Sequence, residues 1–215
     1  MTEALEKFKG HMRQSEACLG NFDATSHEFA LRYVWINCVS AFDLYMTELI
    51  SEAGLRLIDR EPLILTASLK QVGVPLERVL GVKDLSPAER MLFYRNHIFS
   101  AVQYTSFYKP EKVSLALSYV WLIPPKEKWK RIFSRMNSTG RYVGKTEADI
   151  RDELELIGDR RDLIAHSVDT PPGRSTPNPV NRGDAEKVIV FLEDVADAID
   201  VETEELLPAV VATQI

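Results

Sequence analysis

The sequence predicts an all-α protein, a bundle of long antiparallel helices joined by shorter ones. Three observations carry this prediction. Apolar residues recur at three- and four-residue spacing through most of the chain. Helix-start signatures stand where such runs begin, as in Ser86-Pro87-Ala88-Glu89 and Thr146-Glu147-Ala148-Asp149. No alternating run of β-branched residues competes with them.

The elements follow in order. A first helix spans residues 2 to about 20. A second runs from about 26 to 57, with Ser26 as N-cap and Glu28 in its first turn. Residues 59–84 carry Pro62, Gly73, Pro75 and Gly81, so short helical pieces in a longer connection are expected. Pro87, inside the Ser86/Glu89 capping box, starts a helix that should reach about Tyr108. Pro110 begins another, to Leu122, which Pro124-Pro125 ends. A short basic helix follows to about Met136, then a turn at Asn137-Ser138-Thr139-Gly140. The Thr146 box opens a helix to His166 or Ser167. Residues 168–183 hold four prolines and two glycines and read as a mobile loop. The last helix occupies about 184 to 207 and stops at Pro208, leaving 208–215 as a flexible tail. Residues 1–215 are expected to form a single helical domain.

At 215 residues, 45% hydrophobic and 27% charged, the chain can bury one sizeable core and is not broadly disordered. Cys18 and Cys38 make neither a disulfide framework nor a C-x-x-C pair, so a reducing compartment is expected. The first residues are charged, and no stretch approaches the about 18 apolar residues of a membrane span. A soluble, cytoplasmic protein without membrane contact follows as the expectation. The four histidines are scattered, and nucleotide-binding, nucleophile-elbow and zinc-protease motifs are absent from the sequence. No metal and no cofactor are expected. Asp152, Glu155, Asp159 and Asp162 read as a solvated face rather than a magnesium site.

The net charge of −6 argues against a uniformly basic nucleic-acid binder, but it conceals an asymmetry. Between Lys126 and Lys145 stand seven basic residues and one acid, a local +6 that leaves −12 for the rest. From Asp184 to Glu205 there are nine acids against Lys187. The basic stretch is either a solvated helix face or a track for a polyanion, its Lys128, Lys130 and Arg131 expected at surface positions. Trp129, Phe133 and Tyr142, interleaved with it, either stack on bases or form the buried side of an amphipathic helix.

The helix from Thr146 is the most informative. Its stripe Ile150, Leu154, Ile157, Arg161, Ile164, Val168 is an apolar seam interrupted by an arginine. A guanidinium in such a seam needs a carboxylate, a phosphate or carbonyl groups. The adjacent stripe Asp152, Glu155, Asp159, Asp162, His166 ends in a histidine suited to proton transfer. In the second helix Asp43 lies in the polar centre of the stripe Phe29, Tyr33, Ile36, Ser40, Asp43, Thr47, Ile50. A carboxylate there seeks a cation or solvent, and Arg161 is the cation most obviously placed in another seam.

Arg160-Arg161-Asp162-Leu163-Ile164-Ala165-His166-Ser167 resembles the R-x4-6-H signature of HEPN domains, most closely the RiboL-PSP-HEPN type. The long apolar helix with its central acid, Val34 to Tyr45, resembles the partner helix of that type. Arg90 and His97 also fit the spacing, but they sit among Phe93, Tyr94, Ile98 and Phe99, where a structural histidine is expected. The resemblance implies an all-α module that dimerises through the Arg161/His166 helix and cleaves single-stranded RNA without a metal, as a toxin or defence effector. It implies His166 as general acid or base, Arg161 as clamp on the scissile phosphate, and Asp162 and Asp43 as their orienting groups. Lys126, Lys128, Lys130, Arg131 and Arg135, with Arg160 beside the motif, would hold the RNA. A cognate antitoxin or regulatory protein is an implied partner, although Val168 stands where antitoxin-paired toxins usually carry tyrosine. The alternative is a non-catalytic HEPN dimer that binds a protein partner, with the acidic last helix as docking face.

Overall fold

The computed structural model describes residues 1–20, 27–60, 63 and 65–207. Ser26, Pro62 and the expected tail 208–215 lie outside the described residues. Among those described there are eight α-helices and no strand. They are α1 (Glu3–Gly20), α2 (His27–Ile58), α3 (Leu76–Gly81), α4 (Pro87–Val102), α5 (Pro110–Leu117), α6 (Pro125–Asn137), α7 (Glu147–Ser167) and α8 (Arg182–Leu206). Single 3-10 turns lie at Leu69–Gln71 and Val82–Asp84. The fold is all-α, and no described helix is long and apolar enough to cross a membrane.

Helix α2 is the centre of the bundle and packs against α1, α4, α5, α7 and α8. Its sequence requires this, because Leu31, Val34, Cys38, Phe42, Met46, Leu49 and Ile50 bury apolar side chains on more than one side. Phe8, Phe42 and Tyr45 form an aromatic cluster with centroids 5.4–6.3 Å apart. The polar atoms that enter the core with aromatic rings are satisfied. Tyr45 donates to the Ala196 carbonyl (2.9 Å), Trp121 to Thr203 (2.9 Å) and Trp129 to the Pro110 carbonyl (3.0 Å).

Both capping boxes form. Ser86 and Thr146 accept from the backbone N–H of Glu89 and Asp149, whose carboxylates accept in return from the cap N–H groups. Helix α8 begins slightly ahead of the expected start, because Asn181 caps it through the Asp184 N–H (3.0 Å).

Two expectations about length are corrected. Helix α4 stops at Val102 rather than Tyr108, and α5 stops at Leu117 rather than Leu122. The residue before Pro110 is disfavoured in helical geometry and Lys109 is extended, and Phe107 gives its N–H to a side chain of α2 instead of a helical carbonyl. The expected mobile loop after α7 is pinned instead. Asp169, fully buried, receives Arg32 (3.2 Å), Arg160 (3.0 Å) and the Asn178 amide (3.3 Å). Arg32 and Arg160 also donate to the carbonyls of Asn178 (2.9 Å) and Pro179 (2.8 Å). Both ends of the loop are thereby tied to α2 and α7.

Candidate active site

Arg160 and Arg161 are neighbours in α7 with different fates. Arg160 stacks on the Trp35 ring, 4.7 Å from its centroid, and is held by Asp169 and the Pro179 carbonyl. Trp35 in turn donates its indole N–H to the Ile157 carbonyl (2.9 Å). Arg160 is therefore part of the joint between α2 and α7. Arg161 stays half-exposed, and its one hydrogen bond among the described residues goes to Asp162 (2.9 Å). Its Nε is buried without a partner among the described residues.

His166 is exposed in the last turn of α7, four residues after Asp162 and so on the same face. The helix ends just beyond it, where Val168 adopts φ 51° and Asp169 φ 60°. The left-handed region is uncommon for a β-branched residue such as Val168. Val168 is exposed rather than the last member of the seam, whereas Ile150, Leu154, Ile157 and Ile164 are buried as expected.

The expected ion pair between Asp43 and Arg161 does not form. Asp43 Oδ1 accepts the Phe107 N–H at 2.6 Å, and the Arg161 guanidinium turns to Asp162. Arg161 and Asp162 are still close enough to act on Asp43 through space. Burial pushes its carboxyl up to about 6 against the opposing pull of the Phe107 N–H and Arg161, with Asp162 raising it further. On Asp162, burial also works upward. Hydrogen bonds from Tyr108 and Arg161, and the nearby charges of Arg161 and His166, outweigh it and hold the carboxyl below its ordinary value.

Tyr108, expected from the sequence only as the end of a helix, reaches the site. Its hydroxyl donates to Asp162 Oδ2 at 2.5 Å, and its ring lies over Gly158, the small residue one turn earlier. A glycine among strong helix formers at Gly158 was the available signal for a close approach.

The basic stretch is largely turned inward. Lys128 is fully buried, its ammonium donating to the Ser114 carbonyl (2.6 Å) and the Ser118 hydroxyl. It precedes Ile132 and Met136 at four-residue spacing, a stripe that already marked it as inward. Arg131 pairs with Glu202 (2.9 Å), and Arg135 with Glu202 (2.8 Å) and Glu205 (2.5 Å). Lys128 is therefore not at the surface position expected for it, and Arg131 and Arg135, though partly exposed, are engaged by carboxylates of α8. Lys126 and Lys130 remain exposed, Lys130 beside Glu127 (3.2 Å). Trp129 is buried and Phe133 half-buried on the side of α6 that meets the core, and Tyr142, in the turn after it, is buried as well. The acidic face of α8 is likewise engaged internally. Asp194 holds Arg141 and Tyr142, Asp197 holds Lys9, Asp200 holds Thr2, and Glu204 holds Arg56.

His97 is structural, its Nδ1 at 2.8 Å from the Phe93 carbonyl and its ring against Phe93. Among the described residues no three His, Cys, Asp or Glu side chains gather as a metal site would require. The site thus brings together Asp43, Arg161, Asp162 and the end of α7 that carries His166. It offers a cation beside paired carboxylates and an exposed imidazole.

No curated protein and no solved structure matches the chain. The model of the RiboL-PSP-HEPN family matches residues 2–205, nearly the whole length. The chain belongs to the RiboL-PSP-HEPN family.

Proposed function

We propose that this protein is a metal-independent endoribonuclease of single-stranded RNA, with Arg161 and His166 as its catalytic pair. The observation that carries the reading is the contrast between the adjacent arginines. Arg160 is committed to the fold, whereas Arg161 keeps a half-exposed guanidinium oriented by Asp162 on the helix that ends in His166. Such a cation is set to receive a phosphate, and the imidazole to move a proton.

In the reaction, His166 takes the proton of a ribose 2′-hydroxyl as its oxygen attacks the adjacent phosphorus. The bond from phosphorus to the 5′-oxygen breaks, and that oxygen leaves with a proton. The products are a 2′,3′-cyclic phosphate and a free 5′-hydroxyl, and no step calls for a metal. Arg161 offsets the charge that develops on the phosphoryl oxygens. A homodimer would bring two Arg161/His166 pairs to one cleft, so that one imidazole accepts while the other donates. Phe29 and Tyr33 on α2, Leu156 on α7 and Val168 just past its end, all exposed, are the apolar surface for that pairing. An unrestrained ribonuclease harms the cell that makes it. We therefore read the protein as a cytoplasmic toxin or defence effector held by a cognate antitoxin or regulatory protein.

The test is cleavage of a labelled single-stranded RNA in excess EDTA, with end-group analysis of the products. His166→Ala is expected to lose about 10²–10⁴ in rate. Arg161→Ala should lose at least as much without unfolding, since alanine favours helix. Cleavage that stops in EDTA, or persists unchanged in His166→Ala, overturns the mechanism.

A further inference from the structure

The connection between α4 and α5 reaches both carboxylates of the site with two consecutive residues. Phe107 gives its N–H to Asp43 on α2, and Tyr108 gives its hydroxyl to Asp162 on α7. The second contact explains a difficulty. Residues i and i+1 of a helix do not face one another, yet Arg161 and Asp162 are hydrogen-bonded at 2.9 Å. Something outside the helix must fix the carboxylate on the side of the guanidinium. Tyr108 does this: Asp162 Oδ2 takes the Tyr108 hydroxyl while Oδ1 takes Arg161.

The seat of the tyrosine is built into α7. A Cβ at Gly158 would lie 1.9 Å from Tyr108 Cδ2, so only glycine admits the ring there. Glycine inside a helix costs about 1 kcal/mol relative to alanine, and the ring gives that cost a reason. The hydrogen bond to Asp162 pushes the Tyr108 hydroxyl up to about 12, so it remains a donor across the physiological range.

We infer that Tyr108 is a positioning residue: seated on Gly158, its hydroxyl fixes the Asp162 carboxylate and thereby sets the direction of the Arg161 guanidinium. Its effect on turnover rests on the ribonuclease reading; the hydrogen-bonded chain itself does not. Tyr108→Phe keeps the ring on Gly158 and removes only the donor. Two readouts separate the questions. The first is kcat and KM on labelled single-stranded RNA for wild type, Tyr108→Phe, Asp162→Asn and the double variant. The second is the carboxyl titration of Asp162 by carbon-13 NMR in wild type and Tyr108→Phe.

Tyr108→Phe should lower kcat on the order of 10²-fold, as for a misplaced catalytic group, with little change in KM. The double variant should be no slower than Asp162→Asn, because both remove one chain. The Asp162 midpoint should rise in Tyr108→Phe. Wild-type kcat in Tyr108→Phe, or an Asp162 midpoint that does not move, overturns the inference. Wild-type protein that cleaves no RNA overturns the ribonuclease reading instead. The titration then decides the Tyr108 link by itself, a moved midpoint supporting it and an unmoved one overturning it.

Discussion

Lys128 shows how one side chain can reverse the reading of a segment. Its ammonium is buried against a carbonyl and a hydroxyl with no carboxylate at hand, and burial lowers it to about 8. Between about pH 8 and its ordinary value of 10.5, the unfolded chain keeps the proton and the folded chain has lost it. Stability contributed at this position therefore rises with pH across that window. Lys128→Met should flatten the rise, seen as a smaller increase in urea midpoint from pH 8 to 10 than in wild type. An identical increase in both proteins would show that Lys128 does not carry it. Charge reversal at Lys128, which a surface reading would have made harmless, should instead destabilise the fold by several kcal/mol. At this scale the sequence was informative about residue type and spacing. The R-x4-H spacing is read there directly, whereas the structural role of Arg160 depends on Asp169, Trp35 and Pro179 arriving from outside α7.

The elements were legible wherever a local signal sets them. The capping boxes at Ser86 and Thr146 and the prolines at Pro87, Pro110 and Pro125 fix helix starts by chemistry within four residues. Helix ends were less legible. The end of α4 is set by Phe107 and Tyr108 turning toward α2 and α7, a contact across more than fifty residues of chain. The loop after α7 differs from its expectation for the same reason, because its proline content hides the carboxylate that anchors it. Asp169 holds two arginines and an amide at once with no exposed surface. Asp169→Ala would leave both guanidinium groups without their shared carboxylate. The expected loss is about 3–5 kcal/mol of unfolding free energy, measured by denaturant titration, the scale for removing one partner of a buried ion pair. A loss below about 1 kcal/mol, the scale of exposed pairs, would mean that the loop is not tied through this residue.

For the whole molecule, the two charge asymmetries of the sequence turn out to be each other's answer. Arg131 and Arg135 of α6 face the acids of α8 through Glu202 and Glu205, and Arg141 faces Asp194. Apolar side chains also stand exposed on α2. Phe29 and Tyr33 are one turn apart on α2 and well exposed, and Arg32 between them reaches Asp169, three residues beyond His166. Association through that face would bury aromatic area near the end of α7, while two copies at −6 each repel one another. The homodimer proposed above should then tighten as salt rises, because screening weakens the repulsion and leaves the apolar contact intact. Sedimentation at micromolar concentration should give a dimer. Tyr33→Asp, at an exposed position, should give a folded monomer that cleaves RNA far more slowly. A wild-type monomer under these conditions, or a dimer that dissociates as salt is added, would remove this face as the site of pairing.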